Sequence, residues 1–146
     1  MSEDAAARLA IGDLVARYCD AVARADPAGF AACWAPDARW TGPGLDRTGS
    51  AAITRAWAKI RARFTVAIQA IESGTVRIDG VAGHADRATG KWWIHETLQQ
   101  TDGTVRHTVG CYDDEYVRTA DGWRFADRAF TPVGRGMDVR PGREAT

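Results

Sequence analysis

Residues 110–125, GCYDDEYVRTADGWRF, are the most informative segment of the sequence. Two runs of strand composition flank a tight Asp-Gly turn, which predicts a β-hairpin. Because side chains alternate along a strand, Gly110, Tyr112, Asp114 and Tyr116 share one face. The hairpin therefore presents phenols and a carboxylate on the same side of a sheet.

The rest of the chain predicts helices first and strands afterwards, an α+β arrangement in a single domain of residues 1–146. Apolar spacing of three and four predicts helices over residues 4–25 and 50–64, capped by Ser2 or Asp4 and by Ser50. Between them, Asp26-Pro27 begins a short helix that Pro36 ends, and a short strand (38–41) and a loop through Gly49 follow. Alternation predicts long strands over residues 65–79, 85–99, 105–119 and 123–132. Ser73-Gly74 predicts a bulge in the first long strand, and residues 136–146 a loose tail or a flap.

The composition excludes several classes of function. Lys plus Arg equals Asp plus Glu at 19 each, so no net charge favours nucleic acid or an anionic membrane. We find no signal-peptide pattern and no apolar run of membrane-spanning length, and expect a cytoplasmic protein. The three cysteines lack paired spacing and the three histidines are dispersed, so we expect neither disulfides nor a metal site.

The chain resembles SnoaL-like proteins of the nuclear transport factor 2 superfamily. The resemblance covers the first helix (residues 14–26), the segments APDARW (35–40) and VRIDG (76–80), and the closing hairpin. It implies a cone-shaped curved sheet wrapped around N-terminal helices, with an apolar pocket inside. It also implies proton-transfer chemistry without a cofactor, as in scytalone dehydratase, polyketide cyclases and ketosteroid isomerase. Such proteins commonly form homodimers through the outer face of the sheet.

The sequence departs from this family at the positions that usually carry catalysis. Many relatives use an Asp late in the first helix and a His on a pocket-facing strand as a general acid/base pair. The Asp position is Ala23 here, and the two histidine positions correspond to Ile71 and Trp92. Either other residues perform the chemistry, or the pocket only binds a ligand.

Four residues are candidates for a catalytic role: Tyr18, Glu96, Asp114 and His107. A buried Tyr18 could donate to a carbonyl or enolate oxygen, or be an ordinary core tyrosine. Glu96, or an Asp114 with a raised pKa, could move a proton. Asp114 could instead form a structural ion pair with Arg128. His107 has the opposite parity to Tyr112, and would reach the pocket only if a bulge reversed the register.

Aromatic residues are the candidates for the walls of the pocket. We expect the substrate to contact Trp40, Trp57, Trp92, Tyr112 and Phe125. On the strand of residues 90–96, alternation separates Trp92 and Glu96 from Trp93 and His95, and the resemblance puts the first pair inward. Trp93 and His95 would then lie on the outer face, at a dimer interface.

These observations favour a cofactor-independent lyase or isomerase, of the dehydratase or cyclase type, acting on a small apolar, cyclic metabolite. A non-catalytic binding or assembly module is the alternative from a different class. A third hypothesis is an epoxide hydrolase of the limonene type, which activates water with an Asp-Arg-Asp arrangement. Asp114, Arg128 and Asp127 supply those residue types, although alternation places Asp127 opposite Arg128.

Overall fold

The structure is a computed structural model that describes residues 1–80 and 85–135. The helices are α1 (Glu3–Arg24), α2 (Pro27–Ala31) and α3 (Ser50–Arg61). The strands are β1 (Trp34–Gly42), β2 (Leu45–Thr48), β3 (Phe64–Asp79), β4 (Arg87–Gln100), β5 (Val105–Thr119) and β6 (Gly122–Arg135). The predicted tail, residues 136–146, lies outside the described residues.

All six strands form one mixed sheet in the order β2-β1-β6-β5-β4-β3. Strands β3 to β6 pair as an antiparallel meander, whereas β1 joins β6 in parallel. The sheet is curved and unclosed, because β2 and β3 stay at opposite edges. The predicted α+β class is therefore confirmed.

The two helix starts near the N-terminus follow the predicted caps. The Ser2 side chain accepts a hydrogen bond from the Ala5 amide at the start of α1. At the start of α2, Asp26 accepts from the Gly29 amide, and Pro27 occupies the first turn. These side chains satisfy amide groups that the helix itself cannot pair.

The region between α2 and α3 differs from the prediction. Trp34 and Pro36 belong to β1 rather than to the short helix, because Trp34 pairs with Phe125 of β6. The predicted loop contains β2, which pairs with the end of β1. At Trp34, long-range pairing with β6 overrides the local helix signal. Strand β2 is short and has no clear alternation of apolar and polar residues, so the sequence does not predict it.

The ends of α3 also differ from the prediction. Gly49 is the N-cap residue and no side chain caps the helix, so Ser50 is its first residue. Phe64 begins β3 instead of continuing the apolar stripe of α3. The helix ends at Arg61, whose guanidinium donates to the backbone oxygens of Val22, Ala23 and Phe64 and so joins α3 to the end of α1.

The predicted bulge in β3 lies between Ile71 and Ser73, where the register with β4 shifts. Just beyond it, Trp92 of β4 lies over the backbone of Gly74. A Cβ atom at Gly74 would come within 2.1 Å of the Trp92 ring. Glycine is required there because the indole occupies the space of a side chain.

The inner face of the sheet carries Ala67, Ile94 and Tyr112 and is covered by the helices; we call the opposite side the outer face. The core is rich in aromatic residues, with the Phe30 and Trp57 rings stacked at 4.3 Å between centroids. Among the described residues, no helix is long and apolar enough to cross a membrane.

Candidate active site

A cavity of about 170 Å³ lies between the helices and the inner face of the sheet. Its apolar walls come from α1, β1, α3 and strands β3 and β4, with Val22, Trp40, Trp57, Ile60, Phe64, Ala67 and Leu98. Five polar side chains complete the lining: Tyr18, Arg61, Gln69, Glu96 and Tyr112. A mostly apolar cavity with a few convergent polar groups is typical of a small-molecule site.

Glu96 and Gln69 meet because they are directly opposite in the β3–β4 pair. The Gln69 Nε2 donates to Glu96 Oε2 at 2.8 Å and to the Tyr112 hydroxyl at 3.1 Å. One amide group therefore connects the carboxylate with the phenol. This chain of contacts fixes the position of both functional groups.

The phenols of Tyr18 and Tyr112 lie side by side, with their oxygens 3.4 Å apart. That separation is long for a hydrogen bond between hydroxyl groups. The Tyr112 oxygen already accepts from Gln69, so at least one of the two phenolic hydrogens is left for a ligand. Two donors that converge in a buried site can stabilise negative charge on one ligand oxygen.

Burial raises the pKa of the Glu96 carboxyl group and of both phenols. Burial raises the pKa of Glu96, while the hydrogen bond from Gln69 opposes the shift. Burial also raises the pKa of Tyr18 well above its usual value, and that of Tyr112 in the same direction. The phenols are therefore neutral donors, and Glu96 is a stronger base than an exposed carboxylate.

Arg128 lies fully buried behind the two phenols. Its Cζ atom is 3.6 Å from the Tyr112 ring centroid, 4.2 Å from that of Tyr18 and 4.3 Å from that of Phe125. Three ring faces thus surround the guanidinium, whose Nη1 and Nη2 atoms have no hydrogen-bond partner among the described residues. Its charge opposes the rise in the pKa of both phenols.

Asp114 is the ionic partner of Arg128, with its Oδ1 3.1 Å from Nε and both side chains fully buried. Its Oδ2 accepts from the Tyr116 hydroxyl at 2.7 Å, and that hydroxyl accepts from Trp92 Nε1 at 2.7 Å. Burial raises the pKa of Asp114 to about 6, so the carboxylate is ionised at neutral pH. Asp114 is bound in this internal network and does not line the cavity.

The structure brings five of the predicted site residues to the cavity: Tyr18, Trp40, Trp57, Glu96 and Tyr112. Trp92 also faces inward, but it lies over Gly74, next to Tyr116 and away from the cavity. Phe125 is fully buried and packs against Trp34, with ring centroids 5.3 Å apart. Neither Trp92 nor Phe125 lines the cavity.

His107 does not reach the cavity either. It is opposite Thr97 in the β4–β5 pair, and its Nδ1 lies 3.2 Å from the Thr97 hydroxyl. Its ring also contacts that of His95, with centroids 5.4 Å apart. The register does not reverse before Tyr112, so alternation places His107 on the outer face.

Gln69 is a site residue that the sequence did not reveal. It stands in the apolar run AIQAI, residues 67–71, where a single polar side chain suggests a pocket-facing position. Its partners are fixed by the register between β3 and β4, which the sequence does not disclose.

The arrangement required for an epoxide hydrolase of the limonene type is incomplete. Arg128 contacts Asp114 on the inner face, whereas Asp127 pairs with Glu115 in the sheet and faces the other side. Asp127 instead borders an open groove of about 490 Å³ on the outer face, together with Arg77, Lys91, Asp113 and Glu115. The groove carries both signs of charge, and none of the cavity's polar groups lies in it.

Within residues 1–80 and 85–135, no group of three or more His, Cys, Asp or Glu side chains is arranged to hold a metal ion.

The comparisons with known proteins agree with this architecture. The sequence model of the SnoaL-like domain matches residues 3–129. No curated protein sequence matches the chain. Three of the solved structures that the chain resembles have sequence identities of 24%, 20% and 16%.

The Kfla4162 protein from Kribbella flavida is 24% identical, with 92% of this chain and 95% of that chain covered and a TM-score of 0.82. The hexachlorocyclohexane dehydrochlorinase LinA-type3 from Novosphingobium barchaimii is 20% identical, with coverage of 98% and 97% and a TM-score of 0.77. A nuclear transport factor 2-like superfamily protein from Salmonella enterica is 16% identical, with coverage of 97% and 96% and a TM-score of 0.80.

At these identities the structural likeness shows only that the chain shares the fold of these three proteins. The match to the family model covers most of the sequence, including the cavity-lining residues described above. The chain belongs to the SnoaL-like domain family.

Proposed function

We propose that the protein is a cofactor-independent lyase or isomerase that acts by proton transfer on a small apolar, cyclic metabolite bound in the cavity. The observation that carries the proposal is the convergence of Glu96, Tyr112 and Tyr18 on one apolar cavity, connected through Gln69. A raised carboxylate pKa suits a general base, and neutral phenols suit the stabilisation of an oxyanion.

The proposed chemistry begins at a carbon next to a carbonyl group. Glu96 accepts a proton from that carbon, and a phenol of Tyr18 or Tyr112 donates to the carbonyl oxygen as it becomes an enolate. The proton then returns at another position in an isomerisation, or a neighbouring group leaves in an elimination. The fold similarity to a protein named a dehydrochlorinase supports an elimination as one outcome.

A non-catalytic binding module is the second candidate. It is favoured by the residues Ala23, Ile71 and Trp92, which stand where many relatives carry their acid/base pair. In that case the same cavity would hold its ligand without altering it.

The test uses the small molecule that the protein retains when purified from its own host, identified by native mass spectrometry. We expect Glu96→Gln to bind this molecule with an affinity within a few-fold of wild type while losing at least about 100-fold in turnover. The matched control is Glu72→Gln, an exposed carboxylate on β3. A wild-type protein that binds the molecule but never converts it would support the binding module instead.

We also propose a homodimer that forms through the outer face of the sheet. Ile68, Trp93 and Val109 are 44%, 40% and 40% exposed, and all three lie on that face. Large apolar side chains that share one exposed face are typical of an interaction surface.

A cytoplasmic location is a further part of the proposal. Cys19, Cys33 and Cys111 are all free thiols, which is compatible with a reducing compartment.

A further inference from the structure

One atom at the centre of the site has no hydrogen-bond partner. The Gln69 Nε2 donates to Glu96 and Tyr112, but Gln69 Oε1 is buried and has no partner among the described residues. A buried acceptor without a donor destabilises the protein, so its presence requires an explanation. Because Gln69 lines the cavity, a bound ligand can supply the missing donor.

The orientation of the Gln69 amide follows from the neighbouring carboxylate. An ionised carboxylate can only accept hydrogen bonds, so the NH₂ group of Gln69 has to face Glu96. Turning the amide round would bring its oxygen against the Glu96 oxygens. The free acceptor is therefore a consequence of keeping Glu96 ionised.

We infer that Gln69 determines specificity: its Oε1 accepts a hydrogen bond from a hydroxyl or N–H group of the substrate, while its Nε2 positions Glu96. This inference rests on the proposed function and narrows its substrate class. The substrate then carries two polar groups, a carbonyl that accepts from the phenols and a donor that reaches Gln69.

The size of the cavity limits the rest of the substrate. A cavity of about 150 Å³ in another protein binds benzene, and this one measures about 170 Å³. It therefore accommodates one six-membered ring with small substituents. The substrate class is a single-ring carbonyl compound that carries a hydroxyl or amino group.

For a ring ketone with a hydroxyl group on the β-carbon, the reaction is an elimination of water. Glu96 accepts the proton from the carbon between the carbonyl and the hydroxyl-bearing carbon. The electron pair of that C–H bond first forms the enolate. As the carbonyl is restored, this pair forms the C=C bond to the hydroxyl-bearing carbon and the C–O bond breaks. The leaving hydroxide takes the proton from Glu96 and departs as water, so the enzyme returns to its starting state.

The test compares two probes of the same shape, 3-hydroxycyclohexanone and 3-methylcyclohexanone, by calorimetry with the full-length protein. We expect the wild type to bind the hydroxyl compound at least about tenfold more tightly, because only that compound satisfies Gln69 Oε1. Gln69→Met removes the acceptor and should bring the two affinities to within about twofold.

Equal wild-type affinity for the two probes, or binding of neither, would overturn the inference. So would a Gln69→Met protein that keeps the preference. Circular dichroism checks that each variant folds. If Gln69→Met does not fold, the wild-type comparison still decides, because equal affinity for the two probes counts against the acceptor role.

The pH dependence of the rate tests whether Gln69 positions Glu96 or only fills space beside it. The Gln69 hydrogen bond lowers the pKa of Glu96, so its loss in Gln69→Met raises that pKa. The base must be ionised to act, and the acid limb of the pH–rate profile should move to higher pH. A profile that stays in place would contradict the positioning role.

The absorbance of the enone product distinguishes failure of the inference from failure of the proposed function. A wild type that prefers 3-hydroxycyclohexanone but forms no enone would uphold the role of Gln69 in binding and argue against the lyase. Enone formation without any hydroxyl preference would uphold the lyase and overturn the role of Gln69.

Discussion

At the scale of single residues, the two acidic candidates have different environments although both point inward. Glu96 lines the cavity and accepts from a neutral amide, so it can gain and lose a proton. Asp114 is held between the Arg128 guanidinium and the Tyr116 hydroxyl, away from the cavity. The sequence supplied both as candidates, but only the cross-strand register distinguishes the proposed base from the structural ion pair.

Removing the buried charge of Asp114 should be costly. Asp114→Asn leaves the Arg128 charge without its partner in the core, and we expect a loss of about 3–5 kcal/mol in the free energy of unfolding. Urea denaturation measures this loss. The matched control is Asp113→Asn on the other face, where the exposed ion pair with Lys91 is screened by solvent and should contribute little to stability.

The double variant Asp114→Leu/Arg128→Met removes both charges together. It should be more stable than Asp114→Asn alone, because no uncompensated charge remains in the core. Similar losses for Asp113→Asn and Asp114→Asn would contradict the structural role of the pair.

At the scale of the elements, the sequence predicted what depends on local pattern. The caps at Ser2 and Asp26, the four long strands and the bulge in β3 follow from residue type and alternation. The sequence did not predict strand β2, which is short and has no clear alternation, or the extended conformation of Trp34, which pairing with the distant strand β6 determines. Gln69 was missed for the same reason, since its partners depend on how β3 aligns with β4.

The close approach of Trp92 to β3 makes a prediction for this element. Gly74→Ala places a Cβ 2.1 Å from the ring, so Trp92 must move, and we expect a loss of about 1–3 kcal/mol in stability. Thermal or urea denaturation tests it.

The control is Gly12→Ala in α1, where an added Cβ meets nothing within 4 Å. Alanine favours a helix over glycine, so this variant should gain about 0.5–1 kcal/mol. A Gly74→Ala protein as stable as wild type would show that the Trp92 indole can move away from residue 74 without a loss of stability.

At the scale of the whole molecule, the two faces of the sheet differ in what covers them. The inner face, with the helices, encloses the cavity, and the outer face exposes apolar side chains together with His95 and His107. The family resemblance predicted the cone and the cavity. It did not predict which polar groups converge inside, because the usual acid/base pair is replaced.

The exposed outer face leads to a prediction about assembly. Trp93→Glu places a charge at the centre of the proposed interface and should convert a homodimer into a monomer, as measured by light scattering after size-exclusion chromatography. Leu9→Glu is the control, since Leu9 is 64% exposed on α1 rather than on the sheet. A monomeric wild type, or a Trp93→Glu protein that remains dimeric, would contradict the proposal.

In the proposed function, Glu96 moves a proton of a ligand enclosed in the cavity. The most direct measurement is deuterium uptake from D₂O into the molecule that the protein retains from its host, followed by mass spectrometry for wild type and Glu96→Gln. We predict that the wild type places deuterium in the recovered ligand or its product, while Glu96→Gln binds the same ligand and leaves its hydrogens unexchanged. Equal exchange by the two proteins, or exchange by neither, would contradict the role of Glu96 in proton transfer.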